Sequence, residues 1–423
     1  MRTFIELLPY RIEQALGWRI LRSARTKLSR KLSTPAHRSS TDKRRLFVDL
    51  AIISNNDAGT GIQRVVRALA LALLEETPEE WEIRFVSARR AKRYFQIAWP
   101  DRSVHLDPEE MRAQPGDVFL GLDYSLNAVR RHRRQLARFR RDGGTLWFLV
   151  HDLLPLDHPE WFSRNTVIRY KAWLNVLARV ADGFLCNSPQ TEVELKDALT
   201  RIHGITDYRT QVLPMGHAIA EARKNGETSA FTSPPPPRFD TSTPFTLMVG
   251  TLEPRKGHDD VIAAFDRLWR QGLPDRLVLV GRLGWQVDAL RELILRHREY
   301  GTRLLWFDDV EDEELVRIYE ACTGVIIAAH GEGFGLPLIE ALGCGKPVLA
   351  RNLPVFRMHD GKGVHFFPVD APTSELAILT GQWLEAAHNG RIAVVRPTSN
   401  WRDAAIMLLA AIADPDGNTH EGA

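Results

Sequence analysis

Ala329-His330-Gly331-Glu332-Gly333-Phe334-Gly335-Leu336-Pro337-Leu338-Ile339-Glu340-Ala341-Leu342 is the stretch on which the reading of this chain turns. Thr323-Gly324-Val325-Ile326-Ile327-Ala328-Ala329 leads into it, and its apolar, β-branched run predicts a buried strand. Pro337 fits the first turn of a helix, where its missing N–H costs nothing. Leu338, Ile339, Ala341 and Leu342 supply that helix's apolar face. Gly331, Gly333 and Gly335 therefore lie in a turn between a strand end and a helix start. Open α/β sheets bind ligands at that place, and the uncapped N–H groups and dipole of the helix attract an anion such as phosphate. Glu332 and Glu340, with seven residues between them, bracket the turn. Glu332 in the loop is free to face a ligand. Glu340, about one turn into the helix, points back towards its start, where a carboxylate can accept hydrogen bonds from vicinal hydroxyls, as on a ribose.

The same strand–turn–helix grammar recurs on both sides. Leu46–Ala51 reads as a strand, Asn55–Gly61 as a turn with Gly59 and Gly61, and Ile62–Leu74 as an apolar helix. Gly59 and Gly61 allow close approach of a ligand to the backbone. Thr145–Val150 reads as a buried strand with His151-Asp152 at its C-terminal end. Phe245–Gly250 is a further strand, followed by Thr251-Leu252-Glu253-Pro254-Arg255-Lys256-Gly257-His258 and a helix over 259–270. Adjacent Arg255 and Lys256 at such a turn suit a diphosphate: arginine chelates oxygens and lysine adds a compact charge. Strands are also expected at 81–87, 117–122, 181–188, 276–281, 303–307 and 346–350. Helices are expected at 129–141, 161–180, 191–198 and 401–412.

Glu332 through Glu340 resembles the Glu-(seven residues)-Glu signature of retaining glycosyltransferases of family 4, which include bacterial mannosyltransferases. Thr60-Gly61-Ile62-Gln63-Arg64, His151-Asp152-Leu153-Leu154-Pro155, Gly250–Gly257 and Trp401–Ala405 resemble further segments of that family. The resemblance spans about 46–215 and 245–412. It implies an α/β chain of two Rossmann-like domains facing across a cleft (GT-B), with a C-terminal helix crossing back to the first domain. The implied spans are a basic leader 1–45, an acceptor domain 46–217, a Pro-rich linker 218–244 containing Ser233–Pro237, a nucleotide-sugar domain 245–395, and a crossover helix and tail 396–423. It also implies roles. Glu332 and His151 act at the reacting sugar. Gly61, Gly250, Arg255, Lys256, Val310, Gly333, Phe334, Gly335, Leu336 and Glu340 bind the donor, with Val310 in a turn that frames the base. No cofactor is expected beyond the nucleoside diphosphate sugar as co-substrate, and no Asp-x-Asp metal loop is found. The Thr-Gly-Ile-Gln-Arg and His-Asp-Leu-Leu-Pro segments point to GDP-mannose as donor and to a glycan or lipid-linked acceptor of cell-surface polysaccharide assembly. A nucleotide-sugar epimerase and a non-catalytic nucleotide-sugar-binding protein on the same scaffold are the alternatives.

Composition sets the surroundings. A chain of 423 residues with 44% hydrophobic content has room for two domains. No apolar run reaches the roughly 18 residues of a membrane span, and no secretory signal is read. Cys186, Cys322 and Cys344 are too few for a disulfide framework, so a cytoplasmic setting is expected, at the inner face of the membrane. The net charge of +3 is uneven: residues 1–45 carry twelve Lys/Arg against three acids, net +9, and leave −6 elsewhere. Residues 4–32 read as a basic amphipathic helix with Trp18, and membrane contact is expected through 1–32. The seven arginines of 129–141 come without a nucleic-acid motif, so no nucleic-acid partner is expected. They read as a solvated face, or as a seat for an anionic lipid-linked acceptor or the membrane surface. The acids of 308–314 read as a helix N-terminus served by the dipole rather than as a metal cluster.

Overall fold

The computed structural model describes residues 43–101, 103–217 and 237–413. The amphipathic segment expected over 4–32, the linker up to residue 236 and the tail from 414 lie outside them. Two compact units are formed. The first takes 43–156, 164–213 and 402–413; the second takes 157–163, 214–217 and 237–401. Contacts rather than chain order define them, so 157–163 group with the second unit although the expected first domain ran unbroken over 46–217.

The first unit is built on a seven-stranded sheet of β1 (Arg44–Asp49), β2 (Trp81–Ser87), β3 (Phe95–Gln96), β4 (Val118–Gly121), β5 (Thr145–Val150), β6 (Gly183–Cys186) and β7 (Arg209–Val212). Their order is β3-β2-β1-β4-β5-β6-β7, parallel except for the short edge strand β3. Strands β4, β5 and β6 are buried almost throughout, as a sheet covered on both faces requires. Phe119, Phe139, Phe148, Trp173 and Phe184 fill one side. Packing is close: a Cβ on Gly121 would lie 2.3 Å from the Phe148 ring and one on Gly183 2.4 Å from Trp147. Around the sheet run α1 (Gly61–Glu76), α2 (Leu126–Arg131), α3 (Arg133–Arg141), α4 (Arg164–Val180) and α5 (Pro189–Ala198).

Three boundaries differ from expectation for visible reasons. β1 ends at Asp49, not Ala51, because the Asp49 carboxylate accepts the Ala51 N–H at 2.9 Å and turns the chain. The single helix expected over 129–141 is two, broken at His132, whose Nε2 donates to the Arg89 carbonyl at 2.9 Å. The helix expected from Trp161 starts at Arg164, because Phe162 is extended after a short Pro159–Trp161 turn.

The second unit carries β8 (Phe245–Val249), β9 (Arg276–Val280), β10 (Leu304–Phe307), β11 (Gly324–Ile327), β12 (Val348–Arg351) and β13 (Val364–Phe367), in the order β10-β9-β8-β11-β12-β13. All its pairings are parallel. The helices are α6 (His258–Arg270), α7 (Asp288–Leu295), α8 (Asp312–Ala321), α9 (Leu336–Gly343) and α10 (Thr373–His388). Phe265, Trp269, Leu279, Ile326 and Trp383 anchor its core. The last helix, α11 (Trp401–Ala413), groups with the first unit from Arg402 onward. Arg402 pairs with Glu76 of α1 at 2.8 Å, and Ala404, Ala405 and Leu408 are fully buried.

Both sheets have the doubly wound order in which successive strands run outward from a central pair in opposite directions. The switch point lies between β1 and β4 in the first unit and between β8 and β11 in the second. Ligands bind beyond the carboxyl ends of strands at such points. No helix among the described residues is long and apolar enough to cross a membrane.

Candidate functional site

In the second unit the two loops flanking the switch point are the basic turn after β8 and the glycine-rich turn after β11. The basic turn closes as a short 3-10 segment, Pro254–Lys256, ended by Gly257 in the left-handed region at φ 66°. A Cβ on Gly257 would stand 2.4 Å from the Ala328 carbonyl, so glycine is required both by φ and by the close approach of the two loops. Polar ties hold them together. The His330 N–H donates to the Arg255 carbonyl at 2.7 Å. Arg255 Nη1 donates to the Gly331 carbonyl at 3.1 Å, and its Nε pairs with Glu253 at 2.9 Å. Lys256 Nζ pairs directly with Glu332, and Arg255 Nη1 stands 3.8 Å from the other oxygen of that carboxylate. These side chains are only partly accessible: 15% for Arg255 and Lys256, 12% for Glu332. Burial alone raises the Glu332 carboxyl, but the charges of Lys256 and Arg255 outweigh it and hold the group below its ordinary value. Glu332 is thus an anion clasped by two cations.

Gly335 starts α9 in the left-handed region at φ 88°, and no side chain caps the helix or places an acid in its first turn. Gly333 and Phe334 are buried beside it and Leu336 is half-buried. Glu340 is buried inside α9, where Tyr319 Oη donates to its Oε2 at 2.9 Å. The carboxylate read as a ribose acceptor therefore already holds one hydroxyl. Gly250 follows β8, and its carbonyl stands where a Cβ on Gly281 would lie at 1.9 Å. Val310 is half-buried in the turn between β10 and α8. Acids 312–314 open α8 as expected, but two members of the run are also bound by a base that the sequence reading overlooked. Arg238 pairs with Asp309 at 2.5 Å and with Glu314 at 3.0 Å.

Behind the loops stands Arg351, the last residue of β12 and 2% exposed. Its Nε donates to the Ala328 carbonyl at 2.9 Å, its Nη1 to the Val369 carbonyl, and its Nη2 to Asp260 of α6 at 2.5 Å. Asp260 also faces His330 Nε2 at 3.4 Å. Neither residue was singled out from the sequence. A strand-closing arginine in Val348-Leu349-Ala350-Arg351 is the one available signal, since a cation at the end of a buried strand needs several partners.

In the first unit, Gly61 and His151 both lie at the carboxyl edge of the sheet. Gly61 opens α1, capped by a reciprocal Thr60–Gln63 pair. The buried Gln63 also binds the Ala58 N–H at 2.9 Å and the Asn56 carbonyl at 2.7 Å, which fixes the glycine turn. His151 follows β5 and is 3% exposed. Burial lowers its imidazole to about 4 despite a bond to the Leu122 backbone, and Nε2 is buried without a hydrogen-bond partner. The ring is neutral near pH 7, with an acceptor to offer. Two carboxylates at this edge went unnoticed in the sequence. Asp49 accepts from Tyr94 Oη at 2.9 Å and Ser125 Oγ at 2.5 Å. Burial and the neighbouring Asp123 push it up to about 7. Asp123 accepts the N–H groups of Ile52 at 2.5 Å and Ile53 at 2.9 Å, and burial pushes it up to about 6. An aspartate ending the apolar run Leu46-Phe47-Val48-Asp49 was the readable signal.

Comparison with known proteins agrees with this architecture. Residues 231–376 match the family model described as Glycosyl transferases group 1. Over 350 residues the chain is 32% identical to the serotype-specific mannosyltransferase WbdA of Escherichia coli, covering 81% of this chain and 43% of that protein. The chain thus spans less than half the length of these curated relatives. Among solved structures, sucrose-phosphate synthase from Thermosynechococcus elongatus superposes with a TM-score of 0.56 at 18% identity, covering 88% of this chain and 96% of that one. Alr3699/HepE of Anabaena in complex with UDP-glucose gives 0.54 at 16% identity, covering 87% and 95%. These likenesses establish the two-sheet GT-B fold.

Proposed function

With residues 231–376 a glycosyltransferase group 1 domain on a GT-B chain, we propose that this protein transfers a glycosyl group from a nucleoside diphosphate sugar to an acceptor hydroxyl, with retention of configuration. The observation that carries the reading is the clasp of Arg255 and Lys256 on Glu332 at the switch point of the second sheet. Two cations held by a buried carboxylate form a preorganised anion site. A diphosphate brings the charge to replace Glu332 there, and the uncapped start of α9 adds backbone donors.

Each part then has a task. Arg255 and Lys256 hold the diphosphate as it gains charge when the bond from the anomeric carbon to phosphate oxygen breaks. Glu332, released from Lys256, faces the sugar and stabilises its developing positive charge. Glu340, steadied by Tyr319, binds the ribose. The acceptor oxygen attacks from the side the diphosphate leaves, and its proton passes to the departing phosphate oxygen, so no protein base is required. His151, neutral with its Nε2 unpartnered, accepts a hydrogen bond from a sugar hydroxyl. Mannose from GDP-mannose, delivered to a glycan or lipid-linked acceptor of a cell-surface polysaccharide, is the specific form of the proposal. It rests on the 32% identity to a mannosyltransferase and on the two N-terminal segments resembling that group.

Thermal-shift measurements with GDP, UDP, ADP, dTDP and CDP test the donor site, because a ligand that binds only the folded state raises its melting temperature. GDP is expected to give the largest shift, and a larger shift with another nucleotide discards mannose while keeping the site. Incubation with GDP-mannose and acceptor oligosaccharides should then release one GDP per sugar transferred. Isomerised nucleotide sugar without transfer would identify an epimerase instead. Binding with neither reaction would identify a sensor.

A further inference from the structure

Arg351 and Asp260 lie outside the Lys256–Glu332 ion pair, yet both loops of the anion site are fastened to them. Arg351 donates to the Ala328 carbonyl at 2.9 Å, at the root of the signature loop, and Gly257 of the basic turn packs against that same carbonyl. Its other end binds Asp260 at 2.5 Å in the first turn of α6, the helix that the basic turn leads into. Asp260 reaches His330 at 3.4 Å, and the His330 N–H returns to the Arg255 carbonyl at 2.7 Å. The chain of ties therefore closes on itself: β12, α6, the signature loop, the basic turn. Its one fully buried charge is a guanidinium whose three bonds run in three directions, a geometry that lysine cannot reproduce.

We propose that Arg351 and Asp260 are positioning residues, a brace that sets the spacing between the Arg255-Lys256 turn and the Glu332 loop and so determines how tightly the site holds a diphosphate. The proposal rests on the diphosphate reading above. Hydrogen bonding to His330, then the charge of Arg351, keep the Asp260 carboxyl below its ordinary range, consistent with a carboxylate at work in the brace.

The sign of one effect separates a brace from a bystander charge. If Asp260 acted only through its negative charge, removing that charge near an anion site would tighten anion binding. If it positions, removal loosens it. The affinity of the full chain for inorganic pyrophosphate and for GDP is measured by calorimetry for wild type, Asp260→Asn, Arg351→Lys and Arg255→Ala. Asp260→Asn is expected to weaken pyrophosphate about tenfold, with the melting temperature nearly kept. The KM for the nucleotide sugar should rise while that for the acceptor stays unchanged. Arg351→Lys should weaken binding further, and if it fails to fold the asparagine variant still decides. Equal or tighter binding by Asp260→Asn, with wild-type binding intact and lost in Arg255→Ala, overturns the brace alone. Wild-type protein that binds neither pyrophosphate nor GDP overturns the diphosphate reading beneath it.

Discussion

The two sheets share one topology and differ in what they place at its edge. Beyond β8 and β11 stands an ionised group of residues: Arg255, Lys256, Glu332, Glu253, Asp260 and Arg351, joined by ion pairs. Beyond β1, β4 and β5 stands a group kept close to neutral: Asp49 raised to about 7, Asp123 to about 6, and His151 lowered to about 4. The difference arises from partners. In the second unit Glu332 and Asp260 each find a cation, so burial does not discharge them. At the first unit's edge Asp49 and Asp123 find hydroxyls and amides, and burial favours the uncharged form of acid and imidazole alike. An ionised edge suits a charged diphosphate. A neutral edge with an unpartnered imidazole nitrogen suits a hydroxyl-bearing acceptor or sugar, which would gain little from a strong field.

The comparison can be broken most sharply at the ionised edge. Arg255→Ala should lower kcat/KM by about 100-fold or more, the scale of losing one preorganised donor to a developing anion. Its melting temperature should fall by far less in proportion, through the lost bonds to Glu253 and the Gly331 carbonyl. Undiminished turnover would remove the diphosphate role. Glu332→Gln sharpens the contrast, because Glu332 pairs with Lys256 and stands 3.8 Å from Arg255, the two cations assigned to the diphosphate. Pyrophosphate should bind this variant several-fold more tightly while glycosyl transfer falls, and weaker binding would show that the carboxylate does not compete with the diphosphate. Together with Asp260→Asn, this places two carboxylate removals in one unit with opposite effects on the same anion.

The neutral edge predicts smaller, pH-dependent effects. Folded Asp49 keeps its proton to about pH 7, whereas an unfolded aspartate loses it near pH 4. Its contribution to stability is therefore complete below about pH 4 and is lost as pH rises through about 7. Asp49→Asn should remove that slope, gaining on wild type by at most about 1.4 kcal/mol per pH unit across the window, read from denaturant midpoints at pH 5, 6, 7 and 8. Parallel profiles would show that Asp49 is ionised in the fold. His151 works in the other direction: its pKa is depressed, so its share of stability is present above about pH 6.5 and is lost as pH falls towards 4. The smallest effect is spectroscopic. The His151 ring resonances should not titrate between pH 5.5 and 8, and a midpoint near 6.5 would place the ring in water.

Much of the fold was legible in linear order because each strand–turn–helix unit is local. Apolar runs such as Val325-Ile326-Ile327 and Thr145–Val150, followed by glycine and then a helical pattern, report burial and period directly. Errors gathered where a distant group intervened. His132 leaves the helical line to reach Arg89, seen only once the loop over 88–93 packs there. The basic turn and the signature loop were recognisable as anion-binding chemistry because each carries its own signal locally, adjacent cations before a glycine in one and glycines before a helix start in the other. Arg351 and Asp260 were not, since 91 positions separate them and nothing local marks either as a partner of the other.

By itself, then, the sequence determined the element types, the pair of α/β sheets and the residues of both glycine turns, because periodicity, turn chemistry and helix capping act over a few neighbours. Only the tertiary structure decided which of those residues are charged and which are already engaged. Glu332 proved to be held by Lys256, Glu340 by Tyr319, and Asp49 and His151 proved to be stripped of water. Burial and ion pairing depend on groups brought together from far along the chain, and they set the pKa values and contacts through which a site acts.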